Sequence, residues 1–358
     1  MFRADRCEDL HAMKKKLPKV LVLQTGGTFA MVLNTQRKAA RQDQSMLNSL
    51  LSSVPELSQI AEIEMKVISN IDSSDVDTAL WRSLADAIHQ HWDSFDGCVI
   101  VHGTDTMAYT ASALSFFLSG LTKPIVLTGS QRPLSELRTD ARANIIDAVE
   151  LATTGYPEVM VCFDSVVYRG SRVTKKSSEH LHAFTSQHMP ALGHFGVHFT
   201  INRTLITPAV PQKKRHRPKL DTRICENVFV LDVVPAAPLP ESMMDALTTC
   251  YQGIILRGFG VGNLPLKNSS WLKLAESAHK RKIPLVIGSQ CQTGAIDLMS
   301  YENGRAFARR GAVSGHNMGL ECLTLKLMVM LGRKIPYDKR HTFFATPLAL
   351  ECGEVGPR

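Results

Sequence analysis

Short apolar runs that stop at glycine, serine or threonine alternate along this chain with longer stretches of helical periodicity. That alternation restricts the fold to strands joined by helical crossovers, an α/β protein with a largely parallel sheet. Runs at 20–23, 97–101, 124–127 and 158–163 predict strands of a first sheet; runs at 228–234, 253–256 and 285–287 predict a second. Between them Met107, Ala111, Leu114, Phe117 and Leu118 recur at helical spacing, with Gly120 as the stop. Asp140 stands where it can cap a helix carrying Ala141, Ile145, Val149 and Ala152, and helices are also expected at 77–88, 240–251, 269–281 and 320–332. The polar stretch 34–45 reads as a loop. With 358 residues, two domains are expected: a larger N-terminal sheet domain over 1–205, a basic Pro-rich linker over 206–227, and a smaller C-terminal α/β domain with a parallel sheet over 228–358.

The net charge of +8 concentrates in Lys14, Lys15 and Lys16 and in Lys213, Lys214, Arg215, His216 and Arg217. No aromatic residues interleave these runs, so they read as a solvated tail and linker, and no nucleic acid is expected as a partner. The eight cysteines show no C-x-x-C spacing, which fits reduced thiols better than a disulfide framework or zinc site. Neither a metal nor a cofactor is expected. The apolar part of the start, 20–23, is too short for an export leader, and no run approaches a membrane span. A cytoplasmic protein with no membrane contact follows as the expectation.

Two strand ends carry hydroxyls. Thr28 follows Gly26-Gly27, where the backbone can approach a ligand closely. Thr104 and Asp105 follow His102-Gly103 just ahead of a helix start, where free N–H groups point outward. A threonine hydroxyl needs a base to become a nucleophile, and Lys175, in a loop after the 158–163 strand, can supply one if desolvated. Asp72-Ser73-Ser74-Asp75 is a further polar cluster, suited to gripping a carboxylate. Each piece alone also fits a structural use: a turn at Gly26-Gly27, a helix cap at Asp105, Ser74 or Asp75, a surface charge at Lys175. The strand end Thr128-Gly129-Ser130-Gln131 resembles Gly288-Ser289-Gln290, too briefly to imply duplication.

Thr25-Gly26-Gly27-Thr28-Phe29, the stretch from Val101 through His102-Gly103-Thr104-Asp105-Thr106 to Ala111, Asp72-Ser73-Ser74-Asp75 and Arg172-Val173-Thr174-Lys175 together resemble the signature blocks of bacterial-type L-asparaginases, nearest the cytoplasmic type I branch. The resemblance continues through Leu256-Arg257-Gly258 to Asn263 and so covers most of the chain in order. It implies a two-domain asparaginase-like fold and hydrolysis of L-asparagine to L-aspartate and ammonia without a cofactor. Thr28 then matches the nucleophile, and Thr104, Asp105 and Lys175 a second triad that activates it or the deacylating water. Asp72, Ser73, Ser74 and Asp105 match substrate-binding positions. Thr174, Arg257 and Cys291 resemble parts of an allosteric site, although a structural salt bridge is the plainer use of Arg257. A homodimer or homotetramer is also implied. One departure stands out: the family carries a tyrosine on the loop after the glycine-threonine block, and here no tyrosine precedes Tyr109. Two alternatives therefore stay open, a related glutaminase or amidotransferase-type amidase, and a non-catalytic asparagine-binding sensor.

Overall fold

The computed structural model describes residues 16–27, 39–267 and 269–353. From β1 (Lys19–Gly26) the chain passes through α1 (Ala39–Ser53), the single-turn α2 (Leu57–Ile60), β2 (Glu62–Ile71), α3 (Thr78–Gln90), β3 (Gly97–Val101) and α4 (Met107–Phe117). It continues through β4 (Leu118–Ser119), β5 (Ile125–Thr128), α5 (Ala141–Thr153), β6 (Val159–Phe163), β7 (Val166–Arg169), β8 (Val173–Lys175), β9 (Phe184–Ser186), β10 (Gly193–Phe195) and β11 (Phe199–Ile201). An eight-stranded sheet results, in the order β11-β10-β7-β6-β5-β3-β1-β2. Strands β2, β1, β3, β5 and β6 are parallel. Alternate residues of β1 serve opposite faces: Leu21 and Leu23 pack beneath α3 and α4, Val20 and Val22 against α1 and α5.

Three expectations need correction here. The sheet is mixed, because the β6-β7, β7-β10 and β10-β11 pairs are antiparallel, which reverses β7 and β11. Asp164 and Ser165 both take positive φ, 50° and 59°, the two-residue hairpin conformation that reverses the chain from β6 directly into β7. Second, α1 begins within the stretch expected to be loop. Its Met46 and Leu50 are buried while Gln44, Ser45 and Asn48 are exposed. Third, Asp140 sits at the head of α5 without capping it. Its carboxylate instead accepts from the backbone N–H groups of Gln131 and Arg132 and from Asn144 Nδ2.

The segment after β11 keeps most of its basic run exposed, as expected, but is tied to the N-terminal half. Arg215 pairs with Asp96 at 3.1 Å, Arg217 pairs with Asp93, and the His216 carbonyl accepts from Trp92 Nε1 and Thr122 Oγ1. The segment then adds β12 (Lys219–Leu220) antiparallel to β4. Beyond it follow β13 (Val228–Asp232), α6 (Glu241–Cys250), β14 (Gly253–Gly258), α7 (Ser269–Lys280), β15 (Leu285–Ser289), α8 (Glu302–Ala308), β16 (Val313–Ser314), α9 (Leu320–Gly332) and α10 (Arg340–Ala345). Strands β13-β14-β15-β16 form the expected parallel sheet. Helix α9 closes the seam between the halves, placing Leu325, Met328 and Val329 in the core beneath α4. Among the described residues no helix is long and apolar enough to cross a membrane.

Residues 346–353 strap the two halves together. Buried Lys326 of α9 pairs with buried Glu351 and also donates to the carbonyls of Phe344 and Thr346. On the other side, Arg172 donates to the carbonyls of Leu350 and Asn317, and Ser171 to that of Ala349. Glu351→Ala leaves a buried ammonium without its anion and is expected to cost about 3–5 kcal/mol, seen as a lower urea midpoint. The double variant Lys326→Met, Glu351→Leu removes both charges and is expected to be more stable than that single variant.

Candidate active site

Strand order β5-β3-β1-β2 places a topological switch point between β1 and β3, and open α/β sheets bind ligands in the crevice outside such carboxyl ends. Here the two ends nearly touch. Gly26 and Gly27 take φ of +116° and +80°; a Cβ on Gly26 would lie 2.3 Å from the Ile71 carbonyl oxygen, and one on Gly27 2.6 Å from the Gly103 Cα. Only glycine fits both the sign of φ and the space. Thr25 Oγ1 donates to the Val101 carbonyl at 3.1 Å, and Ser69 Oγ donates to the Thr25 carbonyl at 2.8 Å, so β1 is tied to both neighbours up to its last residues. Thr28, which follows Gly27 in the sequence, lies outside the described residues.

The turn 102–106 at the end of β3 is held from below. Gly103 and Thr110 dictate the state of the buried His102 ring. The Gly103 carbonyl can only accept, so Nδ1 carries the hydrogen in the 2.7 Å contact, and Nε2 accepts from Thr110 Oγ1 at 2.9 Å. Thr110 in turn accepts from Trp81 Nε1. Burial pushes the His102 imidazole down to about 4, so it is neutral at pH 7.

The 72–75 cluster docks on this turn. Thr106 Oγ1 donates to the Ser73 carbonyl at 2.7 Å, and a Cβ on Gly103 would lie 2.5 Å from the Ser73 Cβ. Neither Ser74 nor Asp75 caps the following helix, as the structural alternative supposed. Asp77 caps α3, while Asp72 caps the single turn at 73–75 by accepting from the N–H and hydroxyl of Ser74. Those bonds hold the Asp72 carboxyl below the usual carboxylate range. Ser73 is buried against Gly103, and Ser74 is exposed beside it.

Lys175 is not on a loop, as expected, but ends β8, which pairs with β9 and projects over the sheet. Its Nζ lies 2.7 Å from Thr104 Oγ1 and 2.6 Å from Asp105 Oδ1. Thr104 is buried and Lys175 mostly so, while the Asp105 side chain is 64% exposed. The described members of the expected set thus converge on one crevice: Thr104, Asp105 and Lys175 in direct contact, Asp72, Ser73 and Ser74 on the adjoining turn. Such an array offers an ammonium, three small hydroxyls and two accessible carboxylates, enough to hold a zwitterion and move a proton. Sequence reasoning missed Gln131, whose Oε1 accepts from Thr104 Oγ1 at 3.2 Å. Its position after a strand ending in Thr128-Gly129 was the available signal.

Thr174 stands beside Lys175 on β8, while Arg257 and Cys291 belong to the C-terminal half. Thr174 Oγ1 donates to buried Glu321 at 2.5 Å, and burial raises the Glu321 carboxyl. Arg257 pairs with Asp232 at 3.0 Å and reaches the Ser289 carbonyl, while the Cys291 N–H donates to Ser289 Oγ. The structural salt bridge of Arg257 is therefore present.

The family described as "Asparaginase, N-terminal" matches residues 19–207, and "Glutaminase/Asparaginase C-terminal domain" matches 227–344. L-asparaginase 1 of Escherichia coli (strain K12) is 34% identical over 90% of this chain and 94% of its own length. A glutamyl-tRNA(Gln) amidotransferase subunit from Methanosarcina barkeri is 32% identical over 93% of this chain and 78% of its own. Among solved structures, L-asparaginase I of Vibrio cholerae superposes with a TM-score of 0.82 at 31% identity, covering 94% of this chain and 99% of that one. The chain belongs to the asparaginase family and is a hydrolase acting on amide bonds.

Because His102 is neutral when folded but titrates near 6.5 when unfolded, the unfolded state binds more protons between those values, and stability falls as pH falls through that window. The loss is on the order of 3 kcal/mol by pH 4. Urea titrations of wild type and His102→Asn across pH 4 to 7 check this; the variant is expected to have the flatter profile.

Proposed function

We propose that the protein hydrolyses L-asparagine to L-aspartate and ammonia through a threonine nucleophile. Thr28 attacks the side-chain carbonyl carbon; a new C–O bond forms, the C–N bond breaks, and ammonia leaves with the proton lost by the hydroxyl. Water then cleaves the β-aspartyl ester and restores Thr28. Thr104 and Lys175 relay the protons, with Asp105 balancing the ammonium that results. The exposed oxygen of Asp105 receives the substrate α-ammonium, and the turn carrying Ser73 and Ser74, which Asp72 caps through Ser74, receives the α-carboxylate with Ser73 as its hydroxyl donor. The observation that carries this reading is the 2.7 Å contact of Lys175 Nζ with Thr104 Oγ1, at the strand end that Gly27 touches. The names of the Escherichia coli and Vibrio cholerae relatives support asparagine as substrate. They also support a type I enzyme, and a cytoplasmic location belongs to the same reading. A homodimer or homotetramer, the domain division at about residues 205 and 228, and a second effector site at Thr174, Arg257 and Cys291 belong to the same reading.

The similarity to an amidotransferase component favours a second reading, glutamine as the preferred amide. Ammonia release measured side by side decides between them: asparagine is expected to give the higher kcat/KM, and a glutamine preference would reverse the assignment. Thr28→Ala, Thr104→Val and Lys175→Met are each expected to lower kcat by about a thousandfold or more. Near-normal turnover by Thr28→Ala would remove the nucleophile from the scheme.

A further inference from the structure

Every proton direction around Thr104 is dictated by its neighbours. Gln131 Nε2 donates to the His180 carbonyl at 3.3 Å; a carbonyl only accepts, so the amide nitrogen must face it and the amide oxygen must face Thr104. An ammonium only donates, so Thr104 Oγ1 accepts from Lys175 and has one hydrogen left, which points to Gln131 Oε1 at 3.2 Å. The chain of bonds therefore runs one way, from Lys175 through Thr104 to Gln131. The acceptor at its end is rigidly mounted. Asp140 accepts from the Gln131 N–H at 2.9 Å and from Arg132 N–H, and Asn144 ties Asp140 to the Gly129 carbonyl. A Cβ on Gly129 would lie 2.2 Å from the His102 carbonyl oxygen, so this loop presses directly on the Thr104 turn.

We propose that Gln131 is a positioning residue of the hydrolytic site, whose carboxamide fixes the direction of the Thr104 hydroxyl proton and so favours the proton-loaded form of the Thr104–Lys175 pair. This rests on reading that pair as the relay. In the transfer step Lys175 is an amine; Thr104 gives its proton to Nζ and takes the proton of the attacking hydroxyl or water. The product is the ammonium facing Asp105, with the Thr104 hydrogen now aimed at Gln131 Oε1. By accepting that hydrogen, Gln131 stabilises the charged product and strengthens the base.

The signature is a displaced pH profile with a sign that depends on the side chain. Other charged or titratable groups around the pair are Asp105, His102 and Asp140, with Arg132 paired to Glu136, His182 to Asp164, and Lys176 and His180 on the hairpin above. Gln131→Met keeps the length and removes the acceptor; Gln131→Glu makes the acceptor anionic. The acid limb of kcat/KM for asparagine is expected to move to lower pH in Gln131→Met, by about half a unit to one unit for one hydrogen bond, and to higher pH in Gln131→Glu. Loss of a merely structural contact would not give opposite signs. A limb unmoved in both variants, or moved the same way in both, overturns the proposal. Thr104→Val and Lys175→Met, assayed alongside, separate the two layers: if they keep wild-type turnover the relay itself fails, and if they are inactive while the limbs stay put only the role of Gln131 fails.

Discussion

Gly27 and Gly103 meet main chain to main chain, with Ser73 wedged against the same turn. A methyl group at either glycine would occupy space already filled by backbone or by the Ser73 side chain, so the approach depends on those positions lacking a Cβ. The contact brings the carboxyl ends of β1, β2 and β3 within one crevice, and from it follows the placing of Thr104, Asp105 and the 72–75 turn. Parallel pairing on either side of β1 makes the geometry available; the missing side chains make it close.

Lys175 arrives from a different direction and has to be held separately. It ends a short hairpin that the eight-stranded sheet does not pair with, so its precision comes from what surrounds β8. Thr174, its neighbour, is bonded to Glu321 of α9, and Arg172 and Ser171 are bonded to the strap 346–353. The strap is in turn anchored by Lys326 and Glu351 inside the C-terminal half. The smaller domain thus contributes no described group in contact with Thr104, yet it supports the strand that delivers the lysine. That arrangement ties the seam between the halves to the strand that ends in Lys175.

Much of this was legible in the sequence. The strand ends at Thr104 and at Gly26-Gly27 announced themselves by apolar runs closing on small residues, and the order of the motifs carried the family resemblance. What sequence periodicity could not show was the direction of β7, since the turn at Asp164-Ser165 lacks the glycine that usually marks a two-residue hairpin. Helix α1 was hidden because residues 41–45 are polar, while Met46 and Leu50 are buried. The basic run near 215 looked solvated because its partners, Asp93 and Asp96, lie more than a hundred residues away. Gln131 escaped for a related reason: a glutamine after a strand has no chemistry until Lys175 and His180 fold over it and dictate which end of its amide faces which neighbour.

The proposed hydrolysis requires one crevice in which the hydroxyl after Gly27 would react and the pair at 104 and 175 would assist. Intact-mass spectrometry after exposure to a slow-hydrolysing asparagine analogue, followed by peptide mapping, tests this most directly. One acyl adduct per chain on Thr28, trapped in wild type and missing in Lys175→Met, is the predicted result. An adduct on any other residue, or turnover of the analogue with no covalent species in wild type under quench conditions that preserve esters, would contradict it.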